Sequence, residues 1–248
     1  MLTAVACTRI AVAQSLGASP SGYREYVSIL GTPVGSLPPL ATYTLAGLAQ
    51  QSPQVFARYG FVQDMAQPLA PPSGGHNAHT LNSAALTGLV STGLGGTVSL
   101  TAGLSNEHCT GCSGSSFMAS IAGDLRIASM ALDQTSPTRF TVAATAELGV
   151  GHPATGTAWT ADLGVPLAFA LSNETGTRII PFITPSFALV TTHGGPTGDD
   201  VLAGRLLVGG GISLFNPKSA LGGSVGFQYV FVDKTQLQFG VALSLGGR

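Results

Sequence analysis

Charge is the scarcest property of this chain. Of 248 residues, 10 are Lys or Arg and 11 are Asp or Glu, which is 8% of the sequence. An ordinary soluble domain carries about 25%. The formal net charge is −1, so disorder driven by charge is excluded. The basic residues form no run, which argues against a nucleic-acid binder. Long apolar runs are missing too, and nothing approaches the ~20 apolar residues of a membrane-spanning helix. Gly numbers 34 but keeps no three-residue period, which excludes a collagen-like chain. What is present is an apolar share of 44% and a mean hydropathy of +0.37. Small neutral Ser, Thr and Gly supply the polar remainder. Such a composition fits apolar residues set in alternation.

Cysteine is nearly absent, at three residues. Cys7 lies in Met1–Gln14, where Ala11-Val12-Ala13 forms an A-x-A cleavage pattern. The stretch has no basic start, and Arg9 interrupts its apolar run, so residues 1–13 read as the tail of an export signal. Cys109 and Cys112 sit in a Gly/Ser-rich loop. In an oxidising compartment they are expected to pair as a local disulfide. A thioredoxin-like role needs the pair at a helix start after a strand, which this context lacks. A zinc site needs two further ligands, with His108 one candidate. No cofactor is implied.

From about residue 97 the chain alternates strictly, which places successive side chains on opposite faces of a strand. Val98, Leu100, Ala102 and Leu104 oppose Thr97, Ser99, Thr101 and Ser105. Phe140, Val142, Ala144, Ala146 and Leu148 oppose Arg139, Thr141, Ala143, Thr145 and Glu147. Trp159, Ala161, Leu163, Val165, Leu167, Phe169 and Leu171 form one apolar row opposite Thr160, Asp162 and Gly164. The runs exceed the 5–6 residues usual in a sandwich, and their polar faces carry few charges. Long strands with an apolar row and a small polar row match a transmembrane barrel. Closure also removes edges that such strands would otherwise expose.

Turn chemistry divides the chain into nine strands, at about 79–90, 95–105, 116–130, 138–151, 157–171, 178–192, 201–214, 219–232 and 235–246. Single-chain bacterial barrels have even strand numbers. Val55, Ala57, Tyr59 and Phe61 alternate against Arg58 and supply a tenth strand at 55–63, whose rival reading is a helix capped by Ser52-Pro53. The expected fold is all-β: an antiparallel up-and-down barrel of ten strands over 54–248, with eight the alternative. A segment at 14–53, helical or irregular, plugs or flanks it.

Arg178-Ile179-Ile180-Pro181-Phe182-Ile183-Thr184-Pro185, Leu207–Ile212, Val225–Phe231 and Gln238-Phe239-Gly240-Val241 carry a family resemblance. Over residues 55–248 the chain resembles small Gram-negative outer-membrane β-barrel proteins. The resemblance implies export to the outer membrane, contact with its lipid and with the barrel-insertion machinery, and both termini in the periplasm. Such proteins end their last strand on an aromatic residue, whereas this chain ends Leu245-Gly246-Gly247-Arg248.

With that orientation, loops 64–78, 106–115, 152–156, 193–200 and 233–234 lie outside. His76, His79, His108, His152 and His193 fall at or beside them, as do Asp199 and Asp200. They make a candidate rim site, for a metal or an Asp/His hydrolase like that of the omptins. The plainer reading is that His is more at home in loops than facing lipid, and no clustered motif such as H-E-x-x-H is present. The inward row carries Arg58, Asp124, Arg126, Arg139, Glu147, Asp162 and Arg205. An Arg facing lipid near the midplane costs about 2–4 kcal/mol, so these seven are expected to face the lumen and pair. They form either a selective channel or a salt-bridged plug in a narrow barrel. Three functions follow: a narrow small-solute pore or structural envelope barrel, a barrel hydrolase, and a secreted soluble all-β binding module.

Overall fold

A computed structural model describes residues 53–63, 80–92, 95–108, 114–132, 138–152, 157–172, 176–193, 201–216, 221–231 and 236–246, with Leu37 and Leu40. Its strands are β1 (Gln54–Gln63), β2 (Thr80–Ser91), β3 (Gly96–His108), β4 (Gly114–Ala131), β5 (Arg139–Gly151), β6 (Thr157–Gly164), β7 (Leu167–Ser172), β8 (Arg178–His193), β9 (Val201–Asn216), β10 (Leu221–Phe231) and β11 (Gln236–Gly246). They form one antiparallel sheet, and the β4–β5 pairing closes it into a barrel. β1 pairs with both β2 and β11. The helical alternative for Val55–Gln63 is therefore set aside, and so is an eight-stranded barrel. Gln54 faces Gly246, so the barrel begins and finishes at the same end, called here the terminal end.

The barrel has ten positions for eleven strands because β6 and β7 share one. Gly164 faces Ser186 and Leu167 faces Ile183, so the register is unchanged across Val165-Pro166. The 157–171 run is thus one strand with an interruption. Proline causes it. Pro166 accepts from Ala143 N–H and Pro185 accepts from Val165 N–H, each at 3.0 Å. Neither proline has an N–H to return to its partner.

Alternation decides the two faces. Leu100, Leu163 and Leu243 are 62%, 65% and 67% exposed on the outside, while Thr101, Thr160, Asp162 and Ala242 are buried within. Leu86, Ile121, Leu148, Leu206, Val225 and Val241 extend the outer apolar belt around the ring. Phe117, Trp159, Tyr229, Phe231 and Phe239 stand toward the end opposite the termini. Phe140 and Phe169 pair at 4.8 Å toward the terminal end. Girdles of this kind mark the two interfaces of a membrane barrel. On the outer face, the Tyr59 hydroxyl donates to Asn82 Oδ1 at 2.7 Å.

The turn at 92–96 is closed by Thr92 N–H donating to Gly96 O at 3.0 Å, with Gly95 at φ 78°. Gly176 has φ 82° in the turn before β8. Both are left-handed positions that favour glycine.

Candidate functional site

The inward residues build the lumen in three layers. Toward the terminal end, Phe56, Leu89, Ala143, Ala168, Ala170, Ile180, Phe182 and Phe215 form one apolar cluster, against which Leu40 packs. Toward the other end lie smaller apolar groups: Val62 with Leu81, Ala188 with Leu207 and Val230, and Ala85 with Met118 and Leu37. Between them is a polar waist. Its wall includes Thr87, Ser99, Thr101, Thr145, Thr184, Ser186 and Gln228 together with Arg58, Asp124, Glu147 and Asp162.

Leu37 is 2% exposed, and both it and Leu40 border this waist. The expectation that the 14–53 segment plugs or flanks the barrel therefore meets two described residues inside the lumen. A bare strip of wall receives Leu40. Gly211, Gly226, Gly240 and Gly60 are neighbours in register across β9, β10, β11 and β1, and Leu40 lies beside Gly226 and Gly240. The strands approach so closely at Gly211 that a Cβ there would stand 2.2 Å from the Val225 carbonyl oxygen.

Hydroxyl groups bond each of the waist's carboxyl groups. Thr97 donates to Asp124 Oδ2 at 3.0 Å. Ser120 bonds Glu147, and Ser186 bonds Asp162. Arg58 interacts electrostatically with Glu147 and reaches Thr87 Oγ1 at 3.5 Å. Thr87 and Thr101 share a bond of 2.9 Å. The cavity left between them is about 80 Å³, room for two or three waters at about 30 Å³ each.

Four of the seven charges expected to face the lumen thus meet at one height. The other three do not. The Arg126 guanidinium lies over Gly95 at the terminal-end turn, beside a β-bulge between Arg126 and Ala128. Arg139 begins β5 at that end, close enough to Arg178 to repel it. Arg205 is near the opposite end and donates to Gly204 O at 3.0 Å. Sequence reasoning omitted Arg178 from the charge row, although its parity with Ile180 and Phe182 gives its face. The inner apolar cluster was also omitted.

Of the rim residues, His152 Nδ1 is 2.9 Å from Thr157 Oγ1, and Thr157 faces His193 across the β6–β8 ladder. His108 ends β3 opposite Thr80. His76, His79, Asp199, Asp200, Cys109 and Cys112 lie outside the described residues, so their rim site and disulfide remain sequence expectations. Residues 1–13 also lie outside. Among the described residues, no three His, Cys, Asp or Glu side chains are grouped to hold a metal ion.

No protein-family model and no curated protein sequence matches the chain. Solved structures do. The β domain of the Bordetella autotransporter BrkA is similar at 12% identity and a TM-score of 0.50, over 79% of this chain and 100% of that one. The transport unit of the autotransporter AIDA-I from Escherichia coli is 13% identical, over 83% and 97% of the two chains, with a TM-score of 0.46. LpxR from Salmonella typhimurium is 8% identical, over 78% and 99%, with a TM-score of 0.47. At such identities the likeness is one of fold. The chain has the fold of bacterial outer-membrane β-barrels and carries the apolar outer belt that such a barrel presents to lipid.

Proposed function

We propose that this barrel resides in the outer membrane as a narrow pore for small solutes, shut by its own inner apolar layer. Unmet polar atoms along the lumen wall carry the reading. Several buried side-chain atoms have no hydrogen-bond partner among the described residues: Gln54 Oε1, Ser83 Oγ, Thr160 Oγ1 and both amide atoms of Gln238. Buried polar groups are otherwise satisfied almost without exception, by protein or by ordered water. Sites of this kind hold water, so the wall favours a hydrated lumen over a dry filling. An apolar constriction in series with a hydrated section closes a pore by excluding water from its narrowest part. Phe56, Ile180, Phe182 and Phe215, with Leu40 packed on them, are such a constriction.

In this reading the terminal end faces the periplasm. The outer belt meets lipid, and insertion proceeds through the cellular machinery that assembles such barrels. The test is single-channel recording of the full chain in planar bilayers. The intact protein is expected to pass little or no current. Phe182→Ser combined with Leu40→Ser makes the constriction wettable and is expected to raise conductance several-fold. Silence of both proteins, with each shown to be inserted and folded, replaces the pore with a structural envelope barrel.

A further inference from the structure

Among the described residues, the waist holds more acid than base. Asp124, Glu147 and Asp162 border one cavity with Arg58, so three carboxyl groups meet one guanidinium. Neighbouring hydroxyls donate to each of the three, but a hydroxyl supplies no charge. One acceptor is left over. Oδ2 of Asp162 is buried without a hydrogen-bond partner among the described residues, in a side chain only 8% exposed. An unmet acceptor on a carboxylate is among the costlier groups to bury. Here it belongs to a residue bordering about 80 Å³ of open space.

The size and donor set narrow what fills that space. Two or three water volumes, at about 30 Å³ each, hold one small cation with part of its hydration shell. Mg²⁺ keeps several waters, and Ca²⁺ takes 6–8 oxygen ligands at short range. The described residues bring no three acidic or imidazole groups together as metal ligands. A singly charged ion asks for less: one direct oxygen and a negative surround.

We propose that the waist is a binding site for one small monovalent cation, potassium or ammonium, contacted directly by Asp162 and held through water by Glu147 and Asp124. The site deepens the pore reading, because an occupied acidic waist makes the pore cation-selective. The binding itself is measurable without conduction.

The full chain refolded in detergent micelles is unfolded by heat in potassium chloride and in N-methylglucamine chloride of equal ionic strength. The glucamine ion is too large for the cavity. Potassium is expected to raise the midpoint saturably, by roughly 3–5 °C at ten times its Kd for a chain of this length. Ammonium chloride is expected to do the same, and Asp162→Asn to lose the shift. Should that variant not fold, crystals of the intact protein soaked in rubidium chloride serve instead, with an anomalous peak expected beside Asp162. Equal midpoints in potassium and glucamine salts overturn the proposal, as does a rubidium peak located elsewhere. Bilayer recordings separate the two readings. A potassium-dependent midpoint, with no current from either the intact protein or the Phe182→Ser, Leu40→Ser variant, keeps the site and removes the pore. Current without cation preference, together with equal midpoints, keeps the pore and removes the site.

Discussion

Arg58 and Glu147 are on strands far apart in sequence, yet they line one cavity and interact electrostatically across it. Taking two charges out of water costs several kcal/mol per ion, and their attraction does little more than offset it. The pair is therefore a weak source of net stability but an expensive one to break. Arg58→Met leaves Glu147, Asp124 and Asp162 on one cavity without the guanidinium. It is expected to destabilise the barrel by about 3–5 kcal/mol, read by urea unfolding in lipid vesicles in a potassium-free buffer. Adding Glu147→Gln removes the stranded charge and is expected to recover part of that loss. A double-mutant cycle measures this, and strict additivity would show that the two side chains act independently.

At the scale of the strand, proline sets a local defect that the rest of the ladder tolerates. Pro166 leaves the Ala143 carbonyl without its ladder donor, and Pro185 leaves that of Val165 in the same state. Pro166→Val restores one donor on a side that already has the right register. The gain expected is about 0.5–1.5 kcal/mol, the net worth of one hydrogen bond, with β6 and β7 merging into one strand. Amide hydrogen exchange reports it through a newly protected N–H at position 166. Unchanged stability together with rapid exchange at that amide would mean the strand is bent there for another reason.

The same strand shows what the sequence discloses. Trp159 through Leu171 alternate against Thr160 and Asp162, so the two faces are legible from parity even across the break. Parity also assigns Arg58, Asp124, Glu147 and Asp162 to the lumen. It does not give their height. Asp124, Glu147 and Asp162 lie on the consecutive strands β4, β5 and β6, and Glu147 faces Asp162 in register, so hairpin register sets their common height. Arg58 on β1 joins them only through the tilt that closure fixes, which no local pattern encodes. Phe56, Ile180, Phe182 and Phe215 were hidden for a related reason. Lipid and a dry inner layer select the same residue types, and only the register separates them. Leu37 and Leu40 lie outside any periodic run, so nothing local marks them as lumen residues.

For the whole molecule, the low charge is a matter of distribution. The outer belt of Leu100, Ile121, Leu163, Val225, Val241 and Leu243 is exposed and apolar, and soluble monomers rarely leave so large a continuous apolar surface to water. In the proposed reading the hydrophobic effect drives the belt into lipid, and without detergent the same surface is expected to make the protein aggregate. Two substitutions read out the depth of that contact. Val241 sits midway along β11 on the outer face, and Leu132 lies just beyond the terminal end of β4, also exposed. Val241→Arg is expected to cost about 2–4 kcal/mol and Leu132→Arg about 0–1 kcal/mol, the values for the bilayer midplane and its interface. Reversible denaturant titration in phospholipid vesicles measures both. Equal costs would mean that the outer face does not sense a bilayer. Paired with a protein that stays monomeric without detergent, that result would return this chain to the class of secreted soluble β-proteins, where an Arg at either position meets only water.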